Sequence, residues 1–514
     1  MNNSNYEKYV AMMQKVADVR NAIAVLSWDQ ETYQPAMGAD FRGQQISTLS
    51  GLAHDLFLNP ELEKVLIDLQ TDDSLTDSQK KNAQLSFDDL KREKKYSTAF
   101  VEENSKAISE AYHAWVEARS KNDFKIFEPK LKKLVELKRK ETELLGYENH
   151  PYDALLNLYE PLQTVANTDV LFDDLKKELV PFIKTIAEKK QPKNDFMFGN
   201  FPKQNQWQLG IELLKQMNFD FKAGRQDESV HPFTTAFAPT DVRLTTHIEE
   251  RNFYTMIWSC LHEGGHGLYE QGLSTSYYGL PGGEAVSLGI HESQSRLWEN
   301  MVGRSLNYWK GNWKTVQQFF PGKFENLTVT DFYKAINMVE PSLIRIEADE
   351  LTYHFHVIIR YEIEKLLLDG SLEVADIPAV WNKKYLDYLG VKVPNDAMGC
   401  LQDIHWSHGS FGYFPTYTIG SLYAAQFFHF AKKEIVGLDA MIENGELKPL
   451  LEWLRKKIHQ HGRLKSAKEI SENICDEPLN VKYFVDYAKR KIWQFISVRK
   501  TKKRQPNFFS QRFV

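Results

Sequence analysis

Cysteine is scarce in this 514-residue chain, and its few cysteines are poorly placed for disulfides or thiolate metal sites. Cys260, Cys400 and Cys475 lie far apart in the sequence, and no Cys-x-x-Cys pair is present. An odd number of widely spaced thiols argues against a disulfide framework and against a cysteine-rich zinc site. The cysteines therefore favour a reducing compartment, and we expect a cytoplasmic protein.

Long apolar runs and an excess of basic charge are also missing. No apolar segment approaches the ~20 residues that span a bilayer. The amino-terminal sequence MNNSNYEKYVAMM has no basic region followed by an apolar one, so it predicts no secretory signal. The formal net charge is -5, which gives no reason to expect a basic binding face. We expect neither a membrane nor a nucleic-acid partner.

Internal repeats and Gly/Ser-rich linkers are absent as well, so nothing in the sequence divides the chain. Its 42% of hydrophobic residues are ample for a large core. The composition changes only in the tail RKTKKRQPNFFSQRFV, which begins at Arg499, is basic and lacks periodicity. We predict one domain over 1–498 and a frayed tail over 499–514, with a binding arm as the alternative for the tail.

Helical periodicity dominates what is present. Thr76 and Gln79 have the spacing of a capping box, and 342–368 is predicted to be one long helix that ends at Asp369-Gly370. Apolar residues occupy the i, i+3, i+4 and i+7 positions of a helix at Ile108, Ala111, Tyr112 and Trp115. The chain is therefore predicted to be mainly α-helical.

A period of two appears only between about residues 194 and 248. In DVRLTTHI, alternate residues would face opposite sides of a short, half-buried strand. One face would carry Val242, Leu244 and Thr246, and the other Arg243, Thr245 and His247. We predict a small antiparallel sheet packed on the helical body.

The motif that carries chemistry is His262-Glu263-Gly264-Gly265-His266. Residues four apart share a helix face, so His262 and His266 can reach one tetrahedral metal ion, while Glu263 can accept a proton from the attacking water. The alternative is a surface helix with two incidental histidines. Two glycines argue against that alternative, because each costs about 1 kcal/mol inside a helix unless something approaches closely.

A catalytic zinc site needs a third protein ligand. The metzincin extension is excluded, because Tyr269 and Gly272 occupy its Gly and His positions. A glutamate on a following helix remains, and Glu292 in HESQSRLWEN would complete a His, His and Glu set. Weaker candidates are Glu270, Glu284 and Glu299, and we assign Glu270 to the solvated helix surface.

Several segments beyond the metal motif resemble the carboxypeptidase Taq family of metallopeptidases. HEGGHGLYEQG and HESQSRLWEN resemble motifs of this family, and so do segments on both sides of them. The matching segments occur in the family's order and cover nearly the whole chain through Tyr483. These are WDQETYQPAMGADFRGQQ (28–45), YDALLNLYEP (152–161), HPF (231–233), DVRLTT (241–246), IRIEAD (344–349) and GCLQDIHW (399–406). A match in so many motifs is highly specific.

The resemblance implies a mainly α, single helical domain with a deep groove, similar in outline to neurolysin-like peptidases. It also implies a homodimer and one divalent ion, usually zinc, although cobalt can replace it. The implied activity is removal of C-terminal residues from peptides, with broad side-chain tolerance and refusal of terminal proline.

Stabilising the tetrahedral oxyanion and binding the terminal carboxylate of the substrate require residues from other segments. For the oxyanion donor we choose His405 and Tyr417, with Tyr413 behind them, and Asp403 and Gln402 beside His405 could orient its imidazole. The alternative for an aromatic in a Tyr/Phe-rich run is a core position.

A free terminal carboxylate calls for a planar guanidinium, for which Arg345 and Arg243 are the candidates. The alternative for Arg345 is a helical ion pair with Asp349, and for Arg243 a salt bridge at a strand edge. An endopeptidase on the same metal and an inactive helical scaffold are the competing functions.

Overall fold

The described part of the chain is built from helices, as the periodicity predicts. The computed structural model describes residues 4–496, so the predicted tail over 499–514 lies outside the described residues. The α-helices are α1 Ser4–Thr32, α2 Ala39–Phe57, α3 Pro60–Leu69, α4 Asp77–Glu93, α5 Thr98–Lys121, α6 Phe124–Leu145, α7 Pro151–Tyr159, α8 Val165–Ala187, α9 Lys203–Gln216, α10 Tyr254–Glu270, α11 Leu288–Arg296, α12 Leu306–Phe319, α13 Val329–Ile336, α14 Tyr353–Asp369, α15 Ile377–Leu389, α16 Pro415–Glu434, α17 Leu438–Glu443, α18 Lys448–Lys457, α19 Ala467–Cys475 and α20 Lys482–Ile496.

Buried apolar side chains form two clusters. The larger extends from Phe100 to Ile492, and the smaller is formed mainly by α1, α3 and α4, with Leu280 added from the middle of the chain. The predicted capping box at the start of α4 is confirmed, since the side chain of each residue bonds the other's backbone. The mainly helical class is confirmed, while one domain over 1–498 stays a prediction.

A three-stranded sheet lies beside the metal motif. Its strands β1 (Gly224–Glu228), β2 (Thr234–Ala238) and β3 (Asp241–Thr246) follow the order β1-β3-β2. β2 pairs antiparallel with β3, but β1 pairs parallel with it. The predicted small sheet is therefore present, but it is mixed and not antiparallel as predicted. Alternation along one strand determines which residues share a face, and it carries no information on the direction of the neighbouring strands.

The helices α10 and α11 cross at a glycine. A Cβ on Gly265 would lie 2.7 Å from both the Gln294 carbonyl oxygen and the Ser295 Cα, which are backbone atoms of α11. A Cβ on Gly264 would lie 2.7 Å from a methyl group of Leu214 on α9. Neighbouring helices thus occupy the space beside both glycines of the motif, and the motif's helix lies directly against the helix of Glu292.

The predicted helix over 342–368 was wrong over residues 342–352. A short 3-10 turn covers Arg345–Glu347, and α14 begins only at Tyr353. The cause is Asp349, whose Oδ1 accepts the backbone N–H groups of Leu351 and Thr352. A carboxylate that bonds nearby backbone donors competes with helix formation. Arg345 therefore lies on a turn, and it pairs with Asp403 and not, as the alternative had it, with Asp349.

The start of α11 depends on a buried carboxyl group. Glu160 accepts the Ser287 hydroxyl at 2.9 Å and the Gly289 N–H at 2.8 Å. Burial raises the pKa of Glu160 to about 7, although both hydrogen bonds favour the ionised form. Between about pH 4.5 and 7, Glu160 is therefore protonated in the folded protein and ionised in the unfolded chain.

We expect Glu160→Gln to change how stability depends on pH. Because the folded pKa is raised, the wild type gains stability from this group at low pH and loses it as the pH rises through about 7. Relative to the variant, the wild type should lose roughly 2–3 kcal/mol between pH 5 and 8. Urea unfolding of both metal-free proteins measures this difference. A difference independent of pH would contradict the prediction.

Candidate metal centre and active site

Three potential metal ligands converge where α10 packs on α11. The Nε2 atoms of His262 and His266 lie 3.6 and 3.4 Å from Oε2 of Glu292. One ligand atom from each of the three residues lies within 4.8 Å of the others. Two donors of a tetrahedral zinc ion, each about 2.0–2.2 Å from it, lie about 3.3–3.6 Å apart. The three side chains therefore fit a small divalent ion.

The ionisation states of these residues also suit a cation. Burial lowers the pKa of His266 to about 3, so its imidazole is neutral and can donate a lone pair. Burial opposes ionisation of Glu292, but Arg296 and His262 hold the pKa of its carboxyl well below the usual range. Burial opposes protonation of His262, but the neighbouring carboxylates of Glu292 and Glu299 raise the pKa of its imidazole. The set therefore offers one neutral imidazole and one carboxylate, and His262 must release its proton before it can bind a metal ion.

Glu299 lies behind His262. Its Oε2 is 2.9 Å from Nδ1 of His262, and its Oε1 accepts a hydrogen bond from Arg304 at 3.1 Å. The carboxylate fixes His262 with Nδ1 protonated, which leaves Nε2 for the metal. Glu299 follows α11 in a π-helical segment over Leu297–Gly303, and segments of this kind are frequent at functional sites.

Behind His266 lies a second histidine. His291 Nδ1 is 2.5 Å from His266 Nδ1, and His291 Nε2 is 2.7 Å from Oε1 of Glu270. The assignment of Glu270 to solvated helix surface was wrong, because only 19% of its side chain is exposed and it bonds His291. Glu284 lies elsewhere, in an ion pair with Arg463.

The carboxylate of Glu263 lies beside the ligands and is held by the sheet. The Thr234 hydroxyl, at the start of β2, donates to Glu263 Oε2 at 2.7 Å. Burial raises the pKa of Glu263, and the hydrogen bond from Thr234 counteracts that effect. Thr234 could not be recognised from the sequence, because its position 29 residues before Glu263 corresponds to no known motif spacing.

His405, Tyr417 and Arg345 lie together, although they are distant in sequence. His405 Nε2 is 3.3 Å from the Tyr417 hydroxyl, and the Arg345 guanidinium lies 5.2 Å from the Tyr417 ring centre. Arg345 also donates to the hydroxyl of Tyr353 at 3.2 Å, and the Tyr353 ring lies 4.5 Å from the Arg296 guanidinium. Tyr353, which the sequence analysis also missed, therefore joins this group to the metal centre.

Asp403 does not orient His405 as predicted. Its Oδ1 accepts Nε and Nη2 of Arg345 at 3.0 and 2.9 Å, and its Oδ2 pairs with Arg360. Gln402 accepts the backbone N–H of Arg345 instead of contacting His405. The guanidinium groups of Arg345 and Arg360 thus share the carboxylate of Asp403, so these three side chains together carry one excess positive charge.

Arg243 is not part of either group. Arg243 and Leu244 lie on different faces of β3, and the face with Leu244 packs against α10 at Gly267. The Arg243 guanidinium lies 4.3 Å from the ring centre of Trp28 and forms an ion pair with Asp241 at 3.0 Å. The sheet therefore separates Arg243 from the helix that carries the metal motif.

Comparison with known proteins identifies the family. The family described as carboxypeptidase Taq (M32) metallopeptidase matches residues 8–492. The chain belongs to the carboxypeptidase Taq family. Carboxypeptidase 1 of Bacillus subtilis (strain 168) is 40% identical over 490 residues, which cover 95% of this chain and 98% of that protein. Thermostable carboxypeptidase 1 of Thermus thermophilus is 37% identical over 500 residues, with the same coverage of 95% and 98%.

Solved structures of the carboxypeptidase Taq family have the same fold as this chain. The M32 carboxypeptidase from Deinococcus radiodurans R1 superposes with a TM-score of 0.95 at 35% identity, covering 96% of this chain and all of that one (100%). A carboxypeptidase structure from Pyrococcus furiosus superposes with a TM-score of 0.93, at 35% identity and over 96% of this chain and 99% of that one. The chain is therefore a metallocarboxypeptidase, a peptide hydrolase that works with a divalent metal ion.

Within residues 4–496, none of the helices combines the length and the apolar character needed to cross a bilayer.

Proposed function

We propose that this carboxypeptidase uses zinc, held by His262, His266 and Glu292, to release C-terminal residues from peptides. The observation that carries this proposal is the convergence of two imidazole Nε2 atoms and one carboxylate oxygen at the crossing of α10 and α11. Cobalt, which has similar ligand preferences, is expected to substitute. We also propose that the protein is cytoplasmic, as its few and scattered cysteines favour, and that it is a homodimer, as the family resemblance implies.

Broad side-chain tolerance, with terminal proline disfavoured, completes the proposal. A peptide bond to proline lacks an N–H and has a fixed φ angle, so it cannot adopt every geometry that other terminal residues can. Peptides that differ only in their last residue test this selectivity directly.

Glu263 is proposed as the general base. When bound, zinc polarises the scissile carbonyl and makes water easier to deprotonate. Glu263 then accepts the proton from water and returns it to the leaving amine. The hydroxyl of Thr234 supports this role, because it restrains one carboxylate oxygen and leaves the other available.

His405 and Tyr417 are proposed to stabilise the tetrahedral oxyanion. Their polar atoms lie 3.3 Å apart, so both can donate to one developing negative charge. Burial, reinforced by the charge of Arg345, lowers the pKa of His405 to about 3, so a neutral imidazole N–H would be the donor.

Arg345 is proposed as the anchor for the terminal carboxylate of the substrate. Only 8% of its side chain is exposed, and it shares Asp403 with Arg360. The excess positive charge of this cluster favours an anionic ligand. Arg243 remains the second candidate, with its stacking against Trp28 as the argument against it.

The function can be tested by mass spectrometry of peptide products. Zinc-loaded enzyme is expected to shorten a free-carboxylate peptide one residue at a time from its C-terminus. The same peptide with a C-terminal amide should be a poor substrate. Internal cleavage of both peptides would instead indicate an endopeptidase, and no cleavage with zinc bound would indicate an inactive scaffold.

We expect Glu292→Ala and Glu299→Ala to weaken zinc binding to different extents. Loss of Glu292 removes a ligand, so activity should fall with zinc affinity and recover partly in excess zinc. Loss of Glu299 removes only the partner of His262, which should cost about 10–100-fold in affinity. Competition with a chelator measures both effects. Glu284→Ala is the control, and greater zinc loss in Glu299→Ala than in Glu292→Ala would contradict the assignment.

A further inference from the structure

A buried arginine lies one helical turn beyond Glu292. Arg296 Nε donates to Glu292 Oε1 at 2.6 Å, and its Nη1 donates to Glu299 Oε2 at 3.3 Å. Only 14% of the side chain is exposed. The guanidinium is therefore held between two carboxylates, one of which belongs to the proposed ligand set.

This contact makes the two oxygens of Glu292 unequal. Oε1 is taken by Arg296, whereas Oε2 faces the Nε2 atoms of both histidines at 3.6 and 3.4 Å. The Ser295 hydroxyl also donates to Oε2, at 3.1 Å. To bring Oε1 to a metal ion beside Oε2, the carboxylate would have to rotate against the hydrogen bond from Arg296.

Divalent ions differ in how they use a carboxylate. Zinc is usually four-coordinate and is satisfied by one oxygen beside two imidazoles. Larger ions that prefer oxygen, such as manganese and calcium, take six or more ligands and gain from a second carboxylate oxygen. A glutamate restricted to one oxygen therefore suits zinc better than manganese.

We propose that Arg296 determines the metal selectivity of this centre by keeping Glu292 monodentate. The inference rests on the proposed ligand set of His262, His266 and Glu292. It assigns Arg296 a positioning role that goes beyond neutralising the buried carboxylates.

A purely electrostatic role makes a different prediction. Loss of the positive charge would strengthen the binding of any divalent cation, and zinc and manganese carry the same charge. Both dissociation constants would then change by the same factor, and their ratio would stay constant. Loss of the restraint on Oε1 changes the ratio, because only manganese gains from the second oxygen.

The experiment measures zinc and manganese dissociation constants by chelator competition on the metal-free, full-length protein. The variants are Arg296→Gln, which removes the charge, and Arg296→Lys, which keeps it but cannot bridge Glu292 and Glu299 with a planar fork. In both we expect the preference for zinc over manganese to fall at least tenfold. The control is Arg304→Gln, which removes another arginine that contacts Glu299 but not Glu292. The ratio of its zinc and manganese dissociation constants should match that of the wild type.

An unchanged zinc-to-manganese ratio in both Arg296 variants would overturn the proposal, as would an equal change in Arg304→Gln. Circular dichroism reports folding, and Arg296→Lys alone decides the outcome if Arg296→Gln does not fold. A failure of the underlying ligand set would appear differently, as zinc binding by His262→Ala with the wild-type dissociation constant.

Discussion

Glu263→Gln is expected to bind zinc with wild-type stoichiometry and to lose nearly all turnover. The side chain is not among the converging ligand atoms, so the substitution should leave the metal in place. Glutamine keeps the shape of the side chain but cannot accept and return a proton. The loss of a general base costs about 10²–10⁴-fold in kcat, and the loss of proton return to the leaving amine adds to this.

The measurement is kcat with a saturating peptide, together with the zinc content of the same preparation. Glu284→Gln is the control, because it removes a carboxylate that pairs with Arg463 away from the ligands. Near-normal turnover in Glu263→Gln would refute the proposed mechanism. Loss of zinc would instead show that Glu263 takes part in binding the metal.

Arg345→Ala is expected to reduce kcat/KM on a free-carboxylate peptide by about 2–4 kcal/mol, the scale of a lost buried, charge-assisted contact. The amidated peptide has no terminal charge and is already a poor substrate of the wild type, so its kcat/KM should fall little further in the variant. Arg345→Lys should recover only part of the loss, because an ammonium group offers a point charge in place of a planar fork.

The comparison of two enzymes and two peptides forms a double-mutant cycle between the arginine and the substrate carboxylate. Asp403 keeps Arg360 as a partner in the variant, which limits structural damage. The same cycle with Arg243→Ala tests the second candidate, and we expect this variant to affect both peptides equally, since Arg243 stacks on Trp28 away from the metal helix. Equal losses on both peptides for Arg345→Ala would leave Arg345 as a structural partner of Asp403.

Much of the fold was predictable because its determinants are local. The capping box of Thr76 and Gln79 and the alternation of buried Val242 and Leu244 depend on residues a few positions apart. The errors arose where a distant or competing contact decided the structure. Asp349 bonds the backbone and delays α14. β1 pairs parallel with β3, and alternation within a strand does not specify the direction of its neighbour.

The candidate site divides in the same way. The helical spacing of His262 and His266, and the position of Glu263 between them, follow from 3.6 residues per turn, so the sequence alone determined that these groups share one region. The need for a third ligand added Glu292, and the chemistry of an exopeptidase added His405, Tyr417 and Arg345 as expectations. Their sequence positions could not show which side chains meet, or on which face of the sheet Arg243 would lie.

Only the tertiary structure decided how the ligands are supported. Gly265 lets α11 approach α10 closely, and this approach brings Glu299 to His262 and His291 to His266. Arg296 then restrains Glu292 from within the same helix packing. Such contacts depend on the crossing of two helices and on a π-helical turn, which are set by packing across the core. The sequence alone therefore identified the metal-binding motif by its local spacing. The orientation of the ligands, and the metal selectivity proposed for the site, depend on long-range packing.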